Sequence, residues 1–480
     1  MVETLKNYIA GKWTESTSGK TFENENPSKR GEILNCAQSS TSEEMRQAID
    51  KASEVFPMWR NTPVETRQKL VGEFLKLLAD SRDELAAAVT RENGKTIRES
   101  HSEIDSALLE GEYHHRQIST FSGHVAISNK FGVAWEQYHP LGVVGIISPW
   151  NYPVNVMCRK TLPALLTGNT VVFKPASFTP WSATIMARLF ESAGFPPGVF
   201  NCITGMGSSV GNAIIKDRRI RAVSFTGSTS VGRKIQALAA ENLTRTQLEL
   251  GGKNALIVMD DANLDEAVQA AVAAGFGCSG QWCTSTSRIL LHRDISGKFI
   301  EKLVQVANGM KVGDPLDRST DMGPVAGPDQ FENISTAIAK AEKDGAKLLC
   351  GGVLKPDIGG YFIRPTVFDD VTPSMEIFRE EIFGPVLGIT KFTCLDEAID
   401  LANKSAYGLS SAIFTGNIKS AQKYIDLMDA GMAHVNIHTG FKTPEMPFGG
   451  WKESGFGQPE NSRTGLDFFV DRKAVYLRGI

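Results

Sequence analysis

A change of hydrophobic period near residue 141 constrains this chain more than any other feature. From 42 to 120 apolar residues recur at intervals of three and four, as in LVGEFLKLLADSRDELAAAV, which predicts amphipathic helices. Beyond 141 the pattern becomes short runs rich in β-branched residues: GVVGIIS, NTVVFKP, GVFNCIT, RAVSFTG and QLELGG. Runs apolar on both faces and spaced by helices predict a parallel sheet covered on both sides, a doubly wound α/β domain. A second series starts at NALIVMDDA near 254 and continues through DEAVQAAVAAGFG, SRILLH, ISGKFIEKLVQVANGM, FGPVLGITKF and HVNIH. The expectation is two doubly wound open-sheet domains, 1–121 with 141–251 and then 252–455. A length of 480 residues agrees, being more than one core usually supports.

Two segments stand outside this scheme. HVAISNKFGVAWEQYHP at 124–140 and the tail DFFVDRKAVYLRG alternate apolar and polar residues, as strands with one covered face do. Such ribbons leave edges open to chance pairing unless another subunit covers them. Residues 122–140 and 456–480 are therefore expected to form an oligomerisation arm, in a homodimer or homotetramer.

Composition excludes several classes of partner. With 51 Lys+Arg against 54 Asp+Glu and no basic run, nothing draws the chain to nucleic acid or to an anionic membrane. No segment reaches about eighteen uninterrupted apolar residues, and the start MVETLKNYIAGKW has no cleavage-site pattern. Cysteines at 36, 158, 202, 278, 283, 350 and 394 have no CxxC spacing, so neither a disulfide framework nor a metal site is expected. Free thiols suit a reducing compartment, and the cytoplasm is the default.

Four segments carry chemistry. Cys283 lies in GFGCSGQWCTSTSR, a small polar stretch between a helix and a strand, where backbone can approach closely and a substrate can reach sulfur. Taken alone, a free cysteine is more often a buried small hydrophobe, the reading kept for Cys278. Glu249 ends a strand in QLELGGK and is followed by two glycines, so it projects toward the crevice where open α/β sheets bind ligands. A simply solvated carboxylate is the alternative. Asn151 in ISPWNYP is either a turn residue before Pro153 or an amide donor to a developing oxyanion. FTGSTSVG, 225–232, stands between a strand and a helix, where small residues let a helix N-terminus meet a phosphate. Its spacing is not GxGxxG, so the usual dinucleotide fingerprint does not apply. KPASFTP brings Lys174 to the same edge.

In order from 149 to 455 the chain contains PWN, KPxxxTP, FTGSxxxG, LELGGK, GQxC, EEIFGP and PFGGxKxSG. Together these resemble the aldehyde dehydrogenase superfamily over essentially the full length, nearest to its succinic and ketoglutaric semialdehyde groups. The resemblance implies that 1–121 with 141–251 bind a nicotinamide dinucleotide and that 252–455 are catalytic. It implies Cys283 as nucleophile, Glu249 as general base, and Asn151 with the Cys283 N–H as oxyanion hole. It implies Gly227 and Ser228 at the pyrophosphate, with Gly232 and Leu250 close by. Lys174 would contact the adenosine ribose, with Ser148 and Trp150 nearby, and Glu381 and Phe383 would contact the nicotinamide ribose and ring. The reaction would oxidise an aldehyde to an acid through a thioester. Retention of Glu249 favours hydrolysis over transfer to coenzyme A.

The sequence also departs from the family. Ser177 stands where NAD-preferring members carry Glu, which removes a repulsion toward a 2′-phosphate and predicts that NADP is accepted alongside NAD. Arg159 suits planar anion recognition or, alternatively, a helix-surface salt bridge, while Gly277 occupies the place of a second anion-binding arginine. Trp282, His438, Phe441 and Lys442 individualise the pocket. A small acidic or hydroxylated aldehyde is the expected substrate, and an aromatic or amino-aldehyde the alternative. A non-catalytic binding protein on the same fold would have lost Cys283, Glu249 or Asn151, and all are present.

Overall fold

The computed structural model describes residues 2–130, 132–354 and 358–478; Phe131 of the expected hairpin and Gly479 of the expected tail strand lie outside these. Strands Arg245–Glu249, Ile220–Thr226, Val143–Ile147, Thr170–Lys174 and Phe200–Cys202 lie side by side and parallel. Val143–Ile147 and Thr170–Lys174 are buried along their whole length, as a sheet covered on both faces requires. Helices Ser42–Arg60, Val64–Asp80, Arg82–Asn93 and Ile97–Gln117 fill the stretch with helical periodicity.

Register decides what this sheet can hold. Ile147 pairs with Phe225 and with Lys174, and Thr226 pairs with Glu249. The segments carrying Asn151, Ser177, Gly227 and Leu250 therefore leave the sheet from one carboxyl edge, where open α/β sheets bind ligands.

The second sheet orders strands Lys347–Val353, Ile363–Asp369, Val386–Phe392, Thr286–His292, Asn254–Val258, Ser410–Phe414 and Met432–Val435. All pairs are parallel except Lys347–Val353 against Ile363–Asp369. Cys283 lies on the approach to Thr286–His292, and Glu381 and Phe383 on the approach to Val386–Phe392.

Three points differ from the sequence expectation. The N-terminal residues add strands that periodicity did not reveal: Asn7–Ile9 and Lys12–Thr14 extend the first sheet antiparallel, and Glu3–Thr4, Thr21–Glu25 and Ile33–Gln38 form a sheet of their own. Segments such as KWT and TFENE mix charged and polar residues with few apolar ones, so they lack the apolar runs that mark the buried strands. The expected arm at 456–480 begins later. Gly455–Phe456 pairs with the strand of Glu249, and Leu466, Phe468 and Phe469 are buried in the first core, because a run of three large apolar side chains gains more from burial than from a ribbon. Only Val470–Leu477 pairs with Gly132–Pro140, which in turn pairs with Val125–Asn129. Lastly, both sheets are mixed at their edges rather than wholly parallel.

Candidate active site

One cavity of about 280 Å³ collects residues from both sheets. Cys283, Asn151, Trp150, Gly227, Ser228, Leu250, Glu381, Phe383, Arg159, Trp282 and Lys442 all line it, so most of the expected site converges. Ser148, Lys174, Ser177, Gly232, Glu249, His438 and Phe441 do not line it.

The nucleophile position is set by a sharp turn. Helix Leu264–Phe276 ends at Gly277, and Cys278, Ser279 and Gly280 then take left-handed φ of 51°, 55° and 69°. A Cβ on Gly280 would lie 2.1 Å from the Gly384 carbonyl, so only glycine fits there. Asn254 Nδ2 donates to the carbonyls of Cys283 and Ser285, each at 2.8 Å, and fixes the segment from below. Trp282 Nε1 donates to the Ala274 carbonyl at 3.0 Å. Burial and the nearby Glu249 carboxylate push the Cys283 thiol up to about 12, so it rests as the neutral thiol. Cys278 is buried, with its sulfur 3.2 Å from the Tyr152 hydroxyl, in keeping with a structural thiol.

Asn151 is held rigidly. Lys95 Nζ donates to its carbonyl at 2.5 Å and is itself neutralised by Glu103 at 2.6 Å. Asn93 Nδ2 donates to the preceding carbonyl of Trp150 at 2.9 Å. One amide hydrogen of Asn151 goes to the Gln281 carbonyl at 2.9 Å, leaving the second for the cavity. Pro153 opens helix Pro153–Leu166 at its first position, where a missing N–H costs nothing.

Glu249 lies behind the cavity wall and is 4% exposed. Its Oε2 finds no partner among the described residues. Burial, then the charge of Glu460, raises its pKa well above the usual carboxylate range, while Lys160 and Arg159 pull the other way.

The opposite wall has the geometry of an anion site. Helix Thr229–Ala240 begins at Ser228, whose side chain does not cap it, so its first N–H groups remain available to an anion. Thr226 Oγ1, at the same mouth, is buried with no partner among the described residues. A Cβ on Gly227 would meet the Phe225 ring at 2.4 Å, and one on Gly232 would meet Leu250 at 2.5 Å. Glu381 Oε1 accepts from the Gly252 N–H at 2.9 Å, and a Cβ on Gly251 would lie 2.3 Å from its other oxygen. Burial raises Glu381 to about 7, against that backbone hydrogen bond. These residues fit a phosphate and a ribose. Lys174 turns away from them, donating to the Pro175 carbonyl at 2.8 Å, and burial lowers it to about 8. Ser148 meets the same strand, its N–H donating to the Lys174 carbonyl at 3.2 Å. Ser177 lies beside the sulfur of Met206.

Arg159 departs from its expected role. Glu110 accepts from its Nε and Nη2 at 2.9 and 3.0 Å, Asn155 Oδ1 from Nη2 at 2.6 Å, and Glu460 from Nη1 at 3.4 Å. A guanidinium so fully paired is not free to anchor a substrate carboxylate. The reason is local: helix Ile97–Gln117 delivers Glu110 to the buried face of the helix that carries Arg159. His438 lies behind Trp282, ring centroids 6.4 Å apart, and Phe441 is exposed outside the cavity.

Residues 13–475 match the aldehyde dehydrogenase family. The alpha-ketoglutaric semialdehyde dehydrogenase of Bacillus subtilis is 38% identical over 99% of this chain and 98% of its own. The NAD+ complex of an aldehyde dehydrogenase from Bacillus cereus superposes with a TM-score of 0.96 at 34% identity, covering 99% and 97% of the two chains. An NADP-dependent enzyme from E. coli gives 0.96 at 31% identity, covering 99% and 98%.

The chain belongs to the aldehyde dehydrogenase family.

Several site residues of this aldehyde dehydrogenase escaped the sequence reading: Glu110, Glu460, Lys160, Tyr152, Thr226, Gln330 and Phe448. Glu460 takes Lys160 Nζ as its partner, in a contact with both side chains buried. Tyr152 lies under the Lys95 ammonium, 3.8 Å from the ring centroid, and Phe448 under the Arg159 guanidinium at 4.5 Å. Only Glu110 left a signal. In Ile97–Gln117 the polar residues Ser100, Glu103, Glu110 and His114 share the buried stripe with Ile104 and Ala107, and polar groups on a buried face need partners elsewhere. Among the described residues no helix is long and apolar enough to cross a membrane, and no cluster of side chains could hold a metal ion.

Proposed function

We propose that this aldehyde dehydrogenase oxidises a short aldehyde bearing a carboxylate to the corresponding acid, through a thioester on Cys283 released by water. The carrying observation is the convergence of Cys283, Asn151 and Glu381 on one cavity with the unpartnered carboxylate of Glu249 behind it. The Cys283 sulfur attacks the aldehyde carbon as its proton leaves for a nearby base, and Glu249 is the carboxylate whose charge it feels most. The free Asn151 amide hydrogen and the Cys283 N–H meet the developing oxyanion without changing charge. A nicotinamide dinucleotide, when bound, supplies the acceptor for the hydride released as the adduct collapses. Gly227, Ser228 and the N-terminus of Thr229–Ala240 would hold its pyrophosphate, and Glu381 a ribose. Glu249 then takes a proton from water, the water oxygen attacks the thioester carbon, and the sulfur leaves with that proton. A carboxylate whose pKa burial has raised is a stronger base than an exposed one, which suits this step.

The absence of a carboxylate at Ser177 supports use of both NAD and NADP. The exposed apolar side chains of Val125 and Ile127 on the ribbon, at 63% and 50%, support a homo-oligomer built on that edge. Free cysteines support a reducing compartment such as the cytoplasm. The rings of Tyr152, Trp282, Phe383 and Phe448 favour a second reading, an aromatic aldehyde.

Reduced-cofactor absorbance across carboxylated, hydroxylated, aromatic and amino-aldehydes, with NAD and NADP in parallel, tests the proposal. Carboxylated aldehydes should give the highest kcat/KM with either cofactor, and Cys283→Ala should give none. Aromatic aldehydes ranking first would replace the substrate class. Turnover surviving in the Cys283 variant would remove the thioester.

A further inference from the structure

Three basic side chains and two carboxylates meet on the substrate side of the cavity: Arg159, Lys160 and Lys442 with Glu110 and Glu460. Arg159 holds Glu110 by a two-point contact, and Lys160 pairs with Glu460. Lys442 has no carboxylate to itself among the described residues, because it shares Glu110 with Arg159. Burial lowers the Lys442 ammonium, against the attraction of Glu110. Side-chain exposure singles out the same residue: 4% for Arg159, 0% for Lys160 and 23% for Lys442.

Lys442 is also well placed. Its Nζ meets Glu110, Ser106 Oγ at 3.0 Å, and Asn155 Oδ1 at 3.3 Å. The last contact is weak, because Arg159 already holds the same oxygen at 2.6 Å. An incoming carboxylate oxygen can replace it. The backbone beneath is pinned, with Thr439 Oγ1 donating to the Thr284 carbonyl at 2.7 Å and Ser410 Oγ to the Thr439 carbonyl at 2.6 Å. A Cβ on Gly440 would lie 2.4 Å from the Trp282 ring, so this loop packs directly on the residue beside Cys283.

We propose that Lys442, rather than Arg159, is the specificity-determining residue that receives the substrate carboxylate, and that Arg159 positions Glu110 beneath it. This rests on the reading of the substrate as a carboxylated aldehyde. An anion arriving at Lys442 is attracted by its ammonium, whereas the ammonium of an amino-aldehyde would be repelled by it.

The test compares short ω-oxo carboxylates with their methyl esters in the wild type, Lys442→Met and Lys442→Arg. In Lys442→Met the ratio of kcat/KM for acid over ester should fall about 10- to 100-fold, mainly through KM, as expected for one lost charged hydrogen bond. Lys442→Arg should restore most of the ratio. An unchanged ratio in a folded Lys442→Met overturns the assignment. Should that variant not fold, a short dicarboxylate must inhibit the wild type competitively against aldehyde, and its diamide must not; equal inhibition by both overturns it. A wild type without preference for acids over esters removes the substrate reading as well, whereas a preference that survives in Lys442→Met removes only Lys442.

Discussion

Glu249 and Glu110 are both buried carboxylates beside the same cavity, and they are opposites. Glu110 accepts from Arg159 twice and from Lys442, and those charges bring it down to about 2 despite its burial. Glu249 has an oxygen with no partner and is pushed up instead. Burial alone therefore does not fix what a carboxylate does; the number of donors facing it does. The paired one is locked as an anion and organises its neighbours. The unpaired one is free to exchange a proton.

The largest effect that would break this contrast is on turnover. Glu249→Gln keeps the shape and removes the proton acceptor, and should lower steady-state kcat by about 10²- to 10⁴-fold while the first turnover still releases reduced cofactor. Stability should change little, because no hydrogen bond to Oε2 is lost. A burst-free, wild-type kcat would show that Glu249 is not the base.

Glu110→Ala should do the reverse. It leaves Arg159 and Lys442 facing each other unneutralised, at a cost of about 3–5 kcal/mol. Denaturant unfolding would read this directly, and a loss below about 1 kcal/mol would mean that the pair is exposed to water in solution.

The third effect is smaller and concerns the sign of a pH dependence. A carboxyl raised on folding stabilises the fold below its ordinary value near 4.5 and loses that contribution as pH climbs through the native value. A carboxyl lowered to about 2 stabilises above 4.5 and loses it as pH falls toward 2. The stability of the wild type relative to Glu249→Gln should thus fall as pH rises above 4.5. The difference between wild type and Glu110→Gln should shrink with falling pH below it. Slopes of the same sign would end the contrast.

The same comparison explains what could be read from sequence. Glu249 sits in LELGGK, where glycines and a strand end mark a crevice within a few residues, and Cys283 and Asn151 have similarly local signatures. The sheets were legible because their central strands are runs of apolar, β-branched residues buried on both faces. The N-terminal strands, whose sequences are largely polar, were not. Glu110 shows only as a polar residue on a buried helix stripe, and its pairing with Arg159 across 49 positions, like that of Glu460 across 301, is encoded by no local pattern. For that reason the sequence left Arg159 open between anion anchor and salt-bridge partner, and the pairs with Glu110 and Glu460 favour the second. An arginine on a helix near a nucleophile looks like an anion anchor until its own carboxylates are found.

The most direct measurement of the central claim is intact mass of Glu249→Gln quenched during turnover with an aldehyde and cofactor. The account predicts a mass increase of one acyl group, mapped to the Cys283 peptide and absent from Cys283→Ala. A variant that carries no adduct yet releases acid at the wild-type rate would contradict it.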